Sequence, residues 1–397
     1  MWQEWLLELL KGFGKVFLNP VLYVSFILAA YLGVARVKKE RRHFTVRAQN
    51  AYFEMNQLLP IGLILGLIVS VLSIGLILVI PMELVIYTSL LTIVLVLIAK
   101  TRLLSPVYTV GLGILLSIAS LYFGWDFVLF SKSDLMAEEY FFPTAIILLG
   151  LLIISEGISV RNNSKKGTSP RLKKSRRGQI IGVQLLERAW LIPVFLFIPT
   201  GTLTIPFEWW PVFTVGDHTY SLLLMPFLLG AKAEIQGEHP IIALHQIGRN
   251  IIILGSIILL GGIASYYLPI ISVAFVIIAI IGREWINIRH RNVEKNRAFY
   301  FSRKNNGVVI LGIVPDSPAD KMGLKIGETV SKVNSIPVNN HSQLYKAIQR
   351  NSAHCKIEVL DVFGEVRFVQ RALFEGDHHE LGLLIIPDEI VTGNEAV

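Results

Sequence analysis

Long stretches without a charged side chain alternate here with short tracts crowded with lysine and arginine, and that alternation limits what the chain can become. Val16 to Ala35 carries no charge, and Arg36, Lys38, Lys39, Arg41, Arg42 and Arg47 follow it against the single acid Glu40. An apolar stretch of that length crosses the ~30 Å hydrocarbon core of a bilayer as a helix. Lysine and arginine beside such a stretch mark its cytoplasmic end. Of the 397 residues 53% are apolar and only 17% charged, which no ordinary soluble domain matches. The sequence therefore predicts a polytopic α-helical membrane domain.

The same reading places spans at Leu58 to Ile80, Leu84 to Ala99, Val107 to Phe123 and Phe141 to Val160. Two more are expected at Ala189 to Phe207 and Tyr220 to Ala231, the first interrupted by Pro193 and Pro199. Ile251 to Ile281 is longer than one span needs, and Pro269 divides it into a hairpin of two. Basic tracts recur at Lys100 and Arg102, at Arg161 to Arg177 with no acid, and at Arg283 to Arg297. Nine spans with the N-terminus outside and the C-terminus inside agree with every basic tract, as do seven. The resulting organisation is an interfacial amphipathic helix over residues 1–15 and a transmembrane domain of seven to nine helices over 16–282. A basic juxtamembrane linker over 283–304, a soluble domain over 305–387 and a flexible tail over 388–397 follow. In the first of these, Trp2, Trp5, Leu6, Leu9 and Leu10 share a face, as a helix lying in the interface requires.

The soluble domain opens with Val308 to Val314, a β-branched run stopped by Pro315 and Asp316. Ser317 caps a short helix, Pro318 suits its first position, and Gly323 suits its end. Gly327 precedes a strand from Thr329 to Asn334, and a helix over His341 to Arg350 and a hairpin turning at Phe363-Gly364 follow. This order resembles a bacterial PDZ domain, on Ser317-Pro318-Ala319, Gly323-Leu324 and Gly327. Met322 and Ser335 depart from the family pattern, where Ala and Gly are usual. Glu380-Leu381-Gly382-Leu383 is similar to the loop with which PDZ domains hold a peptide carboxylate, placed last as in permuted bacterial members. The resemblance implies a small α+β domain that accepts a peptide as a strand beside Leu383 to Ile386. The candidate groove residues are Leu381, Gly382, Leu383 and Leu384, facing His341, Tyr345 and Ile348, which share a helix face by spacing. Tyr345 and Ile348 also suit a plain core role. A free C-terminus and an internal strand are both open as ligands.

Catalysis is not expected. The zinc-binding His-Glu-x-x-His helix of intramembrane metalloproteases is absent, and His378-His379-Glu380 lacks its spacing. No serine-nucleophile motif stands out, and the single cysteine, Cys355, excludes internal disulfides and multi-cysteine metal sites. No cofactor or metal is predicted. Glu156 is the best candidate for a functional charge within a span, although Arg161 lies near enough that snorkelling to the interface is the simpler expectation. The net charge of +8 reflects the basic tracts, which lack aromatic residues for base stacking. Contact with anionic lipid, not nucleic acid, is expected of them.

Over the whole chain the sequence resembles the MinJ-type cell-division topological determinants. The resemblance rests on the basic loop Arg36-Val37-Lys38-Lys39-Glu40-Arg41, on Ile313 to Lys321, and on His378 to Leu383. It implies an adaptor in division-site selection, a plasma-membrane protein enriched at septa and poles. Such an adaptor links a DivIVA-like scaffold to a MinD-like ATPase and other division proteins through a cytoplasmic PDZ domain. A regulatory subunit of a membrane protease and a transporter with an appended sensor domain are the alternatives.

Overall fold

The computed structural model describes residues 2–123, 141–164, 167–175, 177–203, 220–303, 306–350, 354–372 and 381–388. Residues 124–140 and 208–218, between expected spans, the tail, and His378 to Glu380 lie outside these, as do the side chains of Trp2, Trp5 and Leu6.

Among the described residues seven apolar helices build the membrane domain: α2 (Pro20–Phe44), α4 (Pro60–Gly75), α5 (Met82–Leu97), α6 (Pro106–Phe123), α7 (Phe141–Asn162), α8 (Pro240–Ala264) and α9 (Ile271–Asn296). Six are long and apolar enough to cross a membrane, the second counted from Phe53 through the short α3 (Phe53–Asn56), and α5 is shorter. Proline opens α2, α4, α6 and α8, where its missing N–H costs nothing. Residues 283–296, expected as a linker, continue α9 as helix. The amphipathic α1 (Trp2–Lys15) lies on the far side of the domain, with Lys15 Nζ donating to Ser221 Oγ.

Two expected helical spans are strands. Within a three-stranded ribbon of β1 (Ser169–Lys174), β2 (Ile180–Leu203) and β3 (Tyr220–Ile235), β2 pairs with β3 from Gln184↔Ile235 to Pro199↔Tyr220. Residues 220–231 would reach only about 18 Å as a helix but about 40 Å as a strand. Pro193 and Pro226 stand opposite each other, in a segment where either would break a helix. Among the described residues the chain passes between the two ends of the domain nine times, seven times as helix and twice as strand.

A strand at membrane depth survives only where protein covers its edge, since each orphaned backbone group costs several kcal/mol in hydrocarbon. Helix α4 covers β2. Leu191 N–H donates to Leu58 O (3.0 Å), Phe195 N–H to Ser70 Oγ (2.9 Å), and Phe197 O accepts from Ile80 N–H (2.8 Å). Pro193, between them, has no N–H to satisfy. The carbonyls of Leu191 and Pro193 abut Gly62 and Gly66, where a Cβ would come within 1.9 and 2.3 Å of them. Gly62, Gly66 and Ser70, one helical turn apart, form the stripe of small residues that admits this approach. On the other edge Leu222 O abuts Gly12, and Gly230 abuts Thr101 O.

Helices α7 and α8 meet along a second glycine seam. Gly157 faces Gly248, Gly255 faces Ile154, and Gly150 and Gly262 face Leu259 and Ile147. The seven-residue spacing within each helix keeps the seam on one face, as in a left-handed coiled coil. At one end of this pair Glu156 is fully buried and does not snorkel. Its Oε1 accepts from Arg283 Nη2 (2.7 Å) and its Oε2 from Ser105 Oγ (2.5 Å). A neighbouring arginine in the fold, invisible in local sequence, supplies its counter-charge in place of the expected snorkelling to the interface near Arg161.

A second buried ionic cluster joins α2, α3, β1 and β2. Arg36 donates to Glu40 (2.9 Å), Glu54 (2.7 Å) and the carbonyl of Thr168 (2.9 Å), while Arg188 donates to Glu54 (3.0 Å). The Phe53 ring takes the guanidinium of Arg36 at 5.1 Å and that of Arg188 at 4.9 Å. This cluster ties the base of the ribbon to the helices immediately beneath the PDZ domain.

Candidate peptide-binding groove

The PDZ sheet has the order β8-β7-β5-β4-β9, with β6 paired to β5. Its strands are β4 (Val308–Ile313), β5 (Thr329–Val333), β6 (Ile336–Pro337), β7 (His354–Leu360), β8 (Val366–Ala372) and β9 (Leu383–Ile385). Strand β4 is apolar on both faces because both are covered. Val308 and Ile310 join the PDZ core, and Val309 and Leu311 pack with Phe301, Ile386, Leu172, Ile180 and Phe44 against the membrane ribbon. Gln184 Nε2 donates to Leu311 O, Gly182 N–H to Phe301 O (2.9 Å), and His239 Nε2 contacts Ile326 O (3.1 Å). The domain is thus seated on the ribbon, not hung from a free linker.

Local chemistry sets the groove walls. Ser317 Oγ accepts from Asp320 N–H, capping α10 (Pro318–Lys321). Asn340 Oδ1 caps α11 (His341–Gln349) by accepting from Gln343 N–H (2.8 Å), and Gln343 Oε1 returns a bond to Asn339 N–H (2.9 Å). Helix α11 buries Leu344, Ala347 and Ile348 and leaves His341 exposed and Tyr345 half-buried. The two rings stack with centroids 6.4 Å apart. At the other wall Gly382 has φ +79°, and a Cβ there would meet Ser317 Cβ at 2.3 Å. Only glycine fits that turn. Val314 N–H donates to Gly382 O and Ala319 N–H to Leu381 O, both at 2.9 Å, so the loop is held on the cap of α10.

Strand β9 is the last in the sheet, paired to β4 through Ile313↔Leu383, Gly312↔Leu384 and Ile310↔Ile385. Leu381, Leu383 and Ile385 share one core cluster with Leu344, Ala347 and Ile348 of α11. Leu384 points to the opposite face, against Gly312. The expected groove set is thus divided: Leu381, Leu383 and Ile348 come together, His341 and Tyr345 flank them on α11, and Leu384 is apart. Ile385 shares the face of Leu383, as strict alternation along the strand dictates. Asp388 Oδ2 accepts from Ser342 N–H (3.3 Å), which joins the end of β9 to the start of α11. Cys355 is buried, and burial pushes its thiol up to about 11, so it is a core residue without thiolate reactivity.

The PDZ domain family matches residues 276–360, a stretch that begins inside α9 and ends before β8. Over 97% of its length, and 97% of the relative's, the chain is 36% identical to the cell division topological determinant MinJ of Bacillus subtilis. It is 27% identical to the probable cell division topological determinant MinJ of Lacticaseibacillus paracasei, over 94% of this chain and 97% of that one. Both alignments run through the membrane domain, the ribbon and the PDZ domain. The chain belongs to the MinJ family of cell division topological determinants.

Proposed function

We propose that the chain is a non-catalytic, membrane-anchored adaptor in division-site selection, linking a DivIVA-like scaffold to a MinD-like ATPase through its PDZ domain. The observation that carries this reading is an edge strand, β9, beside an amphipathic helix on a domain seated against a membrane bundle, in a chain alike throughout to MinJ. A peptide adding to β9 would gain main-chain hydrogen bonds, with side-chain selection from Leu383, Ile385, Tyr345 and His341. The basic residues Arg36 to Arg42 and Arg283 to Arg297 lie at the end of the bundle that carries the PDZ domain. That supports a cytoplasmic PDZ domain and an external N-terminus. Seating restricts where the groove points, and confinement to the membrane raises its effective concentration toward partners confined there too.

Co-purification of the full chain with each partner tests the reading. Tyr345→Ala, which removes a half-exposed ring, is expected to reduce recovery of at least one partner several-fold while membrane insertion persists. Unchanged recovery of both partners by Tyr345→Ala and by a chain lacking residues 305–397 would contradict it.

A further inference from the structure

Where α2 leaves its apolar stretch, Arg36, Lys39 and Arg171 surround a small cavity of about 20 Å³, with Leu32, Ala35 and Glu187 completing much of its wall. The donors of Arg36 are committed to Glu40, Glu54 and Thr168. Glu40 is committed as well, taking Arg36 and Ser169 on one oxygen and the Ala48 and Gln49 N–H groups on the other. Glu187 accepts from Lys232. Arg171 is different. It is only 8% exposed, and its Nε and Nη1 meet no hydrogen-bond partner among the described residues.

A buried guanidinium with two open donors is costly unless an anion meets it. Burial holds Arg171 below its ordinary pKa, and Glu40 and Glu187 offset this only through longer-range attraction. We propose that this cavity binds a phosphate group, that of an anionic phospholipid, with Arg171 and Lys39 as its ligands. The volume admits about one oxygen atom, so one phosphate oxygen enters toward Arg171 and the rest of the group stays at the mouth, beside exposed Lys39. The geometry favours lipid over the free ion. Ile27, Tyr31 and Val34 form an exposed stripe on α2 leading to the same level, and acyl chains would cover it. A basic pocket at the end of a hydrophobic helix is where headgroup recognition is expected.

The test uses the full chain in neutral detergent, with thermal unfolding and native mass spectrometry as readouts. Short-chain phosphatidylglycerol, short-chain phosphatidylcholine and inorganic phosphate are added separately at matched concentrations. Phosphatidylglycerol is expected to raise Tm and remain bound, with a far smaller effect of phosphatidylcholine. R171Q should lose the shift. K39Q should weaken it roughly tenfold in midpoint, whereas K38Q, an equal charge change on a neighbouring exposed residue outside the cavity, should not. If R171Q does not fold, K39Q against K38Q decides alone. A shift reproduced in full by inorganic phosphate would overturn the lipid assignment and leave a free-anion site. Equal responses to the two lipids, or equal losses in K39Q and K38Q, would overturn the site itself.

Discussion

The carbonyl oxygen of Pro193 lies against the α-carbon of Gly66, so closely that a methyl group on Gly66 would come within 2.3 Å of it. That approach lets a helix cover the edge of a strand within the membrane domain. The ribbon depends on it, because the neighbouring edge bonds from Leu191 to Leu58 and from Phe195 to Ser70 need the same separation.

Gly62→Ala and Gly66→Ala are accordingly expected to destabilise the membrane domain by about 1–3 kcal/mol each, the ordinary cost of overpacking. Gly14→Ala and Gly75→Ala, where nothing lies within 4 Å of the added carbon, should stay within about 0.5 kcal/mol of the parent. Thermal unfolding in detergent compares the four. Equal effects at all four positions would show that α4 does not guard the strand.

The Glu156–Arg283 pair predicts a different pattern. Glu156→Gln removes the counter-charge of a buried guanidinium and should cost about 3–5 kcal/mol, whereas Glu156→Leu combined with Arg283→Met should recover most of that loss. A transport role for Glu156 would instead leave Glu156→Gln folded and deficient in flux. Unfolding curves of the single and double variants separate the two.

Asn334 and Ser335, between β5 and β6, have φ of 50° and 68°, both in the left-handed region. A hairpin turn of that shape favours glycine at its second central position. Ser335→Gly should stabilise the PDZ domain by about 0.5–1 kcal/mol, the relief of left-handed strain less the entropy of glycine in the unfolded chain. Hydrogen exchange in β5 and β7 of the full chain would slow by that amount. Faster exchange would mean that the serine side chain contributes more than its backbone costs.

Much of the PDZ domain was legible because its signals are local. Ser317 caps, Gly323 and Gly327 turn with positive φ, and Phe363-Gly364 closes the hairpin, each within a few residues of the group it serves. Ser335 stood out in the sequence as a serine where glycine is usual, but the left-handed φ that makes it costly is read only from the structure. The ribbon was hidden for a different reason. Both faces of β2 and β3 are buried for most of their paired length, which erases the alternation that distinguishes a strand from an apolar helix. Pro193, Pro199 and Pro226 were the remaining signal, and together they argue against helix more strongly than apolar length argues for it. Glu156 depends on Arg283, more than a hundred residues away, and Arg171 shares its cavity with Arg36 and Lys39 of α2, equally remote in the chain. No spacing within the sequence reports such pairs. In the groove, Leu384 was named as one of four consecutive residues, although alternation along the strand expected from Leu383 puts Leu384 on the opposite face and Ile385 on the same one.

The adaptor reading is tested most directly by imaging a fluorescently tagged full chain in a rod-shaped Gram-positive host, with and without the DivIVA-type scaffold. Enrichment at septa and poles that disperses around the membrane when the scaffold is removed is the predicted result. A uniform membrane signal in both strains, with cells of normal length after deletion of residues 305–397, would contradict it.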